Sequence, residues 1–591
     1  MTRLLLLALG GLAAGCIQTV APPGDRTECT VDAECRTGEG EICDDGVCWG
    51  DPPMADYAAV LGPAAAYNSI AATTEVSALT FTPDGWFRDL TLAHALRVSG
   101  QVRAACPAVL DQCTGLLVVP GKIQWSRPSS VDGLPDISVT TQMTANNGTG
   151  SGSGFEVFLP RPVAPTTYTV SFSPSTVPLG VGLPSPASLL PPFQATVVVS
   201  PADKDGLVRD FMLPTSVRTL SGRISQVGAT TLAGWRVHAE AGDGTVLGAL
   251  ALASNVATTG AQGDFTLALA EGPSVVDLVF VPSNVPGVEN EPPRVRLRDH
   301  VVTSPLTTII LPKLERIVAV PVQVDGLDGA GQLTAISGAI VVGRLDQQIG
   351  AVSLQHQATT TTAGGLGSIQ LLLGTANQPL EYELDILPGP TSEMASIYGV
   401  DLDIADTVPA PRVRLQRGES EVGAVLDEAG FGVAGATVTA SVSGAALCEL
   451  SSDDLRVARG LAPVQATTDD NGEFTLFLDP DFDGTTLTYD ITVEPAAGTW
   501  APRWTFQALE LTGEHRQLWL PAAAHVRSLV HDPLATPAPD TLVTLYELTD
   551  KPPPCPAVAL GKAGLAVRRA VATSDADGIV RVILPRVPVQ Q

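Results

Sequence analysis

The sequence predicts an all-β protein, a tandem array of β-sandwich modules behind a small disulfide-rich module. Gly (57) and Pro (48) punctuate Thr- and Val-rich runs throughout the 591 residues. Short strands joined by frequent turns leave that pattern. A strand signature also recurs at a near-constant period, as YTVSFSP from Tyr168, VDLVFVP from Val276, YELDILP from Tyr382 and YDITVEP from Tyr489, at spacings of 108, 106 and 107 residues. In the last copy Tyr489, Ile491 and Val493 alternate with Asp490, Thr492 and Glu494, giving one apolar and one wet face. Finally, four cysteines crowd between Cys29 and Cys48, in a segment too poor in apolar residues to build a core.

The N-terminus reads as a secretory signal over residues 1–15. One charge (Arg3) precedes an apolar run from Leu4 to Ala14, and small residues lead into Cys16. The run is too short to span a membrane, which takes about 20 apolar residues, and no later stretch approaches that length. Ala13-Ala14-Gly15-Cys16 resembles the bacterial lipobox, with Ala13 where that motif prefers Leu. The resemblance implies a diacylated Cys16 as mature N-terminus. Ile17 in place of Asp leans towards the outer membrane rather than the inner one.

Residues 16–54 then hold the anchor and the cysteine-rich module, with Cys29, Cys35, Cys43 and Cys48 as its disulfide cysteines. Three pairings are open, and the spacing is not that of a zinc ribbon. The run resembles a short cysteine-rich motif of the Dickkopf N-terminal type, found after the anchor of bacterial surface lipoproteins. Residues 55–95 read as an Ala-rich connector.

Beyond residue 95 further signatures repeat with the Tyr strand. AGWRV from Ala233, SGAIV from Ser337 and AGATV from Ala434 place valine three residues after glycine, and PDTLV puts Asp540 in the glycine position. A turn and strand follow as TTGAQGDFTLAL from Thr258 and TTDDNGEFTLFL from Thr467, with a weaker echo in DADGIVRVILP from Asp575. The order of these signatures resembles the carboxypeptidase regulatory-like domain, best over residues 421–521. That resemblance implies a prealbumin-like, Ig-like sandwich of about seven strands. It identifies a scaffold and not an activity. The boundaries become 96–214, 215–313, 314–416 and 417–521, with 522–591 a fifth unit that stops without its Tyr strand or closing strand. This unit is either truncated or completes its sheet by pairing elsewhere. A helix is predicted as an insertion after Ser452, capped by that residue and ended at Gly460.

The composition excludes some functions. Asp and Glu outnumber Lys and Arg 62 to 34, so a net charge of −28 repels nucleic acid. The sequence lacks HExxH, GxSxG, P-loop and SxxK patterns. His515, His525 and His531 form the closest histidine group. Asp479, Asp481 and Asp483 alternate ahead of Gly484, with Asp490 at the twelfth place, which resembles a calcium loop. Plain hairpin turns explain the same residues. Trp500 and Trp504 offer either a platform for sugar rings or packing between modules. Cys106 and Cys113 are expected to pair, and Cys448 and Cys555 to stay unbridged in an extended array.

These readings lead to the expectation of a non-catalytic surface protein, held to the outer membrane by lipid on Cys16 and displaying loops on a stalk of sandwiches. No cofactor is expected, unless calcium binds at the aspartate turn. The partner is a glycan or a surface protein, and the oligomeric state is open. The alternative is an array of carbohydrate-binding modules.

Overall fold

The computed structural model describes residues 29–586, apart from 36, 38–40, 45, 51–52, 54, 80–88, 107–114, 132, 145–152, 180–183, 204–205, 214–217, 227–231, 242–251, 271–273, 283–291, 304–305, 307, 328–330, 390–391, 406, 450–462, 483–484 and 549–565. Almost every element is a strand. Among the described residues one plan, a sheet around the opening strand facing a four-stranded sheet, recurs in five units, with extra short strands in some of them.

The fourth unit shows the plan most simply. Its opening strand, Glu419–Leu426, runs antiparallel to Glu473–Leu478 and parallel to the closing strand Arg516–Trp519. The second sheet orders Val464–Thr467, Thr437–Val442, Thr488–Glu494 and Trp504–Glu510. A parallel pair cannot be joined by a tight turn, and the chain between opening and closing strands is what builds the second sheet. Alternation drives the packing. Phe474, Leu476 and Leu478 are buried while Glu473 and Thr475 face water. Across the array the repeat tyrosines Tyr168, Tyr382 and Tyr489 are all buried in their central strands.

Two devices hold the repeats in register. The turn before the second strand of the small sheet carries Gly263, Gly472 or Gly578, at φ of +77°, +79° and +77°. A Cβ there would lie 2.3, 2.5 or 2.8 Å from the carbonyl oxygen of Ile224, Val425 or Val530, so glycine is needed for both dihedral and approach. A buried hydroxyl provides the other. Thr468 Oγ1 accepts from the Ala436 amide (2.8 Å) and donates to the Val433 carbonyl (2.7 Å). Thr362 does the same for Ala339 and Ile336, and Ser574 for Thr541 and Ala538. In each case one side chain satisfies a donor and an acceptor that the strands leave over.

The second and third units join edge to edge. Arg294–Val301 of one pairs antiparallel with Val352–Thr361 of the other, making one eight-stranded sheet and one shared core. The first, fourth and fifth units each have a core of their own.

The fifth unit corrects two expectations. Residues 55–95 are not a connector, and 522–591 is not a truncated sandwich. Tyr57–Gly62 inserts between Thr74–Leu79 and Leu542–Leu548 as the missing Tyr strand. Leu90–Thr91 pairs parallel with Ala523–His531 as the missing closing strand. The bulge confirms the equivalence: register shifts between Tyr57 and Ala59 here, and between Tyr489 and Ile491 in the fourth unit. Tyr57, Ala59, Leu61, Leu90 and Leu92 from one end of the chain share a core with Val526, Val543, Leu545 and Val582 from the other. An open edge strand and half a core are not stable alone, which is why the two ends meet. An extended array is excluded with it, since the fifth unit touches both the first and the fourth. Ala71 and Ala72 pair with His94 and Ala93, and Arg503 Nη1 donates to the Arg568 carbonyl at 2.7 Å. Cys555 and the predicted helix after Ser452 lie outside the described residues, as does the side chain of Cys448.

Candidate functional site

The ends of the chain, the cysteine-rich module and the fourth unit meet at one junction. The module is a hairpin, Ile42–Asp44 against Val47–Trp49, crosslinked Cys29–Cys43 and Cys35–Cys48. Those bonds choose one of the three pairings left open by the sequence. They also explain why the sulfurs of Cys29, Cys35 and Cys48 lie close together without being thiolate ligands.

The hairpin docks on the fifth unit through one carboxylate. Asp44 Oδ2 accepts from Arg581 at 2.8 Å and from Arg527. Burial acts to raise the Asp44 pKa, but the two guanidiniums outweigh it and hold the carboxyl below its usual range. Gly50 donates its amide to the His525 carbonyl at 2.8 Å. Trp49 packs on Trp500 and His525, with ring centroids 6.4 and 5.7 Å away.

This geometry accounts for most of the residues singled out from sequence. Trp504 is buried, with the Arg569 guanidinium 4.5 Å above its ring, and Trp500 sits between Trp49 and His525. The two rings are packing between units and not an exposed sugar platform, which corrects that reading. His525 belongs to the same contact, while His531 faces Asp89 at 3.9 Å.

Among the described residues the aspartates singled out from sequence form no cluster of three ligand atoms. Asp479 Oδ1 accepts from the Ser396 amide of the third unit at 3.0 Å, and Tyr489 donates its hydroxyl to the Asp479 carbonyl at 2.8 Å. Burial pushes the Asp479 carboxyl up to about 6 against the hydrogen bonds from Ser396. Asp490 accepts from the Ala508 amide at 2.9 Å, beside the bulge. Asp481 is exposed in a two-residue strand, and Asp483 lies outside the described residues. The other acidic turns are side-chain-capped loops: Asp469 accepts from Asn471 and Glu473, and Asp575 from Asp577 and Ile579. Cys106 is disulfide-bonded, and its expected partner Cys113 lies outside the described residues, as does Cys16.

Sequence reasoning missed a groove of about 800 Å³ on the outer face of the joined second and third units. Glu381 stands opposite Asp403 and Glu383 opposite Asp401, while Arg344 pairs with the buried Asp385. Alternation along Tyr382 was the available signal, since it puts these carboxylates on one face.

No family model matches the chain, and no curated protein matches it. Solved structures with which it aligns include the Bacillus anthracis TIE protein, at 12% identity over 72% of this chain and 74% of that one, TM-score 0.15. The RrgB pilus protein of Streptococcus pneumoniae aligns at 11% identity over 70% and 93%, TM-score 0.13. The shaft pilin SpaA of Lactobacillus rhamnosus GG aligns at 12% over 34% and 97%, TM-score 0.19. The sandwich assignment rests on the strand pairing itself: five copies of one two-sheet plan behind a disulfide-crosslinked hairpin.

Proposed function

We propose that the chain is a non-catalytic surface protein, anchored in the outer membrane by lipid on Cys16, whose five sandwiches form a closed structural or adhesive scaffold. The observation that carries this reading is the fifth unit, assembled from both ends of the chain directly behind the cysteine-rich module. A scaffold closed in this way fixes its C-terminal strands next to the anchored end. Counted by contacts among the described residues around the closed scaffold, the joined second and third units are the two that do not adjoin the fifth, and they present their loops and acidic face. The carbohydrate-binding alternative lacks the exposed tryptophan pair that would favour it, because those rings pack between units.

Metabolic labelling with a fatty-acid analogue tests the anchor. The protein is expected to take up label, and Cys16→Ser to abolish it; a labelled Cys16→Ser variant overturns the anchor. Proteolysis of intact cells tests the display. Cleavage in the second and third units, with cytoplasmic controls uncut, is expected; full protection there overturns the surface placement.

A further inference from the structure

In a chain of net charge −28, one cleft gathers four arginines. It lies between the fourth and fifth units and has a volume of about 300 Å³. The loop from Glu494 to Thr499 and Arg503 form one wall, and Arg568, Arg569 and Arg581 stand on strands of the other. Two of these charges are answered. Arg569 is buried against Glu547 at 2.6 Å, and Arg581 lies between Asp575 at 2.7 Å and Asp44 at 2.8 Å.

The other two are answered less fully. The nearest carboxylate to Arg503 is Glu494, 4.0 Å away and itself largely exposed. Arg503 Nε is buried with no hydrogen-bond partner among the described residues, and Nη1 is taken by the Arg568 carbonyl. Burial, then the Arg568 charge, push the Arg503 guanidinium below its ordinary value; Glu494 opposes the shift and Arg569 adds to it. Arg568 is exposed at the rim and makes no ion pair among the described residues. Two neighbouring guanidiniums with one exposed carboxylate between them repel each other, and burial of Arg503 strengthens that repulsion. Their planar donor forks match the oxygens of a phosphate.

We propose that the cleft between the fourth and fifth units binds a phosphate group through Arg503 and Arg568. A bound dianion cancels both charges and ties the wall of one unit to the wall of the next. The site therefore stabilises the junction that closes the scaffold. Free phosphate and the phosphate of a lipid headgroup share this chemistry.

The test uses the full chain, with inorganic phosphate titrated at constant ionic strength against chloride. Saturable binding is expected by calorimetry, with a rise in melting temperature that follows occupancy. Arg568→Gln sits at the exposed rim and leaves packing intact, and it is expected to weaken binding at least tenfold. Arg503→Gln is expected to abolish binding, with near-ultraviolet circular dichroism checking its fold. No saturable binding to the unaltered chain, or equal binding by Arg568→Gln, overturns the proposal. Flotation of the chain carrying Cys16→Ser with phosphatidylglycerol vesicles separates the two sources. Binding lost in Arg568→Gln assigns the headgroup, and phosphate binding without flotation assigns the free ion.

Discussion

The second and third units meet edge to edge, whereas the fifth unit is assembled from the two ends of the chain. In the first case each unit already has its own strands, and the seam adds three register pairs, Arg294–Arg296 against Ser353–Gln355. In the fifth unit Tyr57–Gly62 fills the interior of a sheet and is paired on both sides. Its partner Val543 lies nearly the whole chain away from Leu61. The seam joins two units that each supply their own strands, and merges their cores into one. A split unit has no core until both ends are present, and closing so long a loop makes it the slowest contact to form.

The largest expected effect follows from that difference. Leu61→Ala, in the shared core, is expected to cost about 2–5 kcal/mol. Hydrogen exchange should show lost protection across Leu542–Leu548 while Ile340–Ile349 of the third unit stays protected. Unchanged exchange in Leu542–Leu548 would break the comparison.

A smaller loss is expected from Ser574→Ala, which removes the hydroxyl serving the Thr541 amide and the Ala538 carbonyl. The Thr541 amide loses its partner while the Ala538 carbonyl keeps the Thr541 hydroxyl, at a cost of about 1–3 kcal/mol. Thr362→Val in the third unit should cost as much by chemical denaturation but leave the fifth unit's exchange pattern alone. Loss of protection spreading from Thr362→Val into the fifth unit would mean that the units do not unfold separately.

Acid separates two aspartates at the contacts between units. Asp44 has its pKa lowered in the fold, so its contribution is present above the unfolded value of 3.8 and lost as pH falls through the lower folded value. Asp479 is raised to about 6 from 3.8, so folding weakens as pH rises through that window and carries the full penalty above it. Asp44→Asn should therefore lower the melting temperature at pH 7 and matter little once the carboxyl is protonated in both states. Asp479→Asn should raise stability above pH 6 and leave it unchanged at the acid end. Parallel pH profiles for the two variants would refute the assignment.

The smallest effect belongs to the seam. Arg298 reaches Asp346 across it at 3.0 Å, with both side chains largely exposed. Arg298→Ala should cost about 0.2–1 kcal/mol and fade at high salt. A loss as large as that of Leu61→Ala would mean that the seam pair carries as much stability as the core of the split unit.

Much of this architecture was written in local pattern. Alternation at Tyr168, Tyr382 and Tyr489 placed the central strands, and the valine after each glycine placed their neighbours. Asp540 was read as standing in the glycine position, and it holds φ of +55° where Gly435 holds +68°. The crowded cysteines announced a crosslinked hairpin but not its pairing, because spacing alone does not bring particular sulfurs together.

The ends of the chain were the harder case. Tyr57 has Pro63 six residues on, as the other copies do, but Ala58 and Ala59 dilute the alternation and its sheet partners lie at the far end of the sequence. Backbone hydrogen bonds carry no label of the chain segment they join, so the sequence by itself determined that strands of this kind exist, where they turn and how often they repeat. Which strand closes the fifth unit, whether Trp500 and Trp504 face water or a neighbour, and which arginines lack a carboxylate were decided only by tertiary structure. Those properties depend on what long-range packing brings within a few ångströms, and the core shared by Leu61 and Val543 exists only after the whole chain has closed on itself.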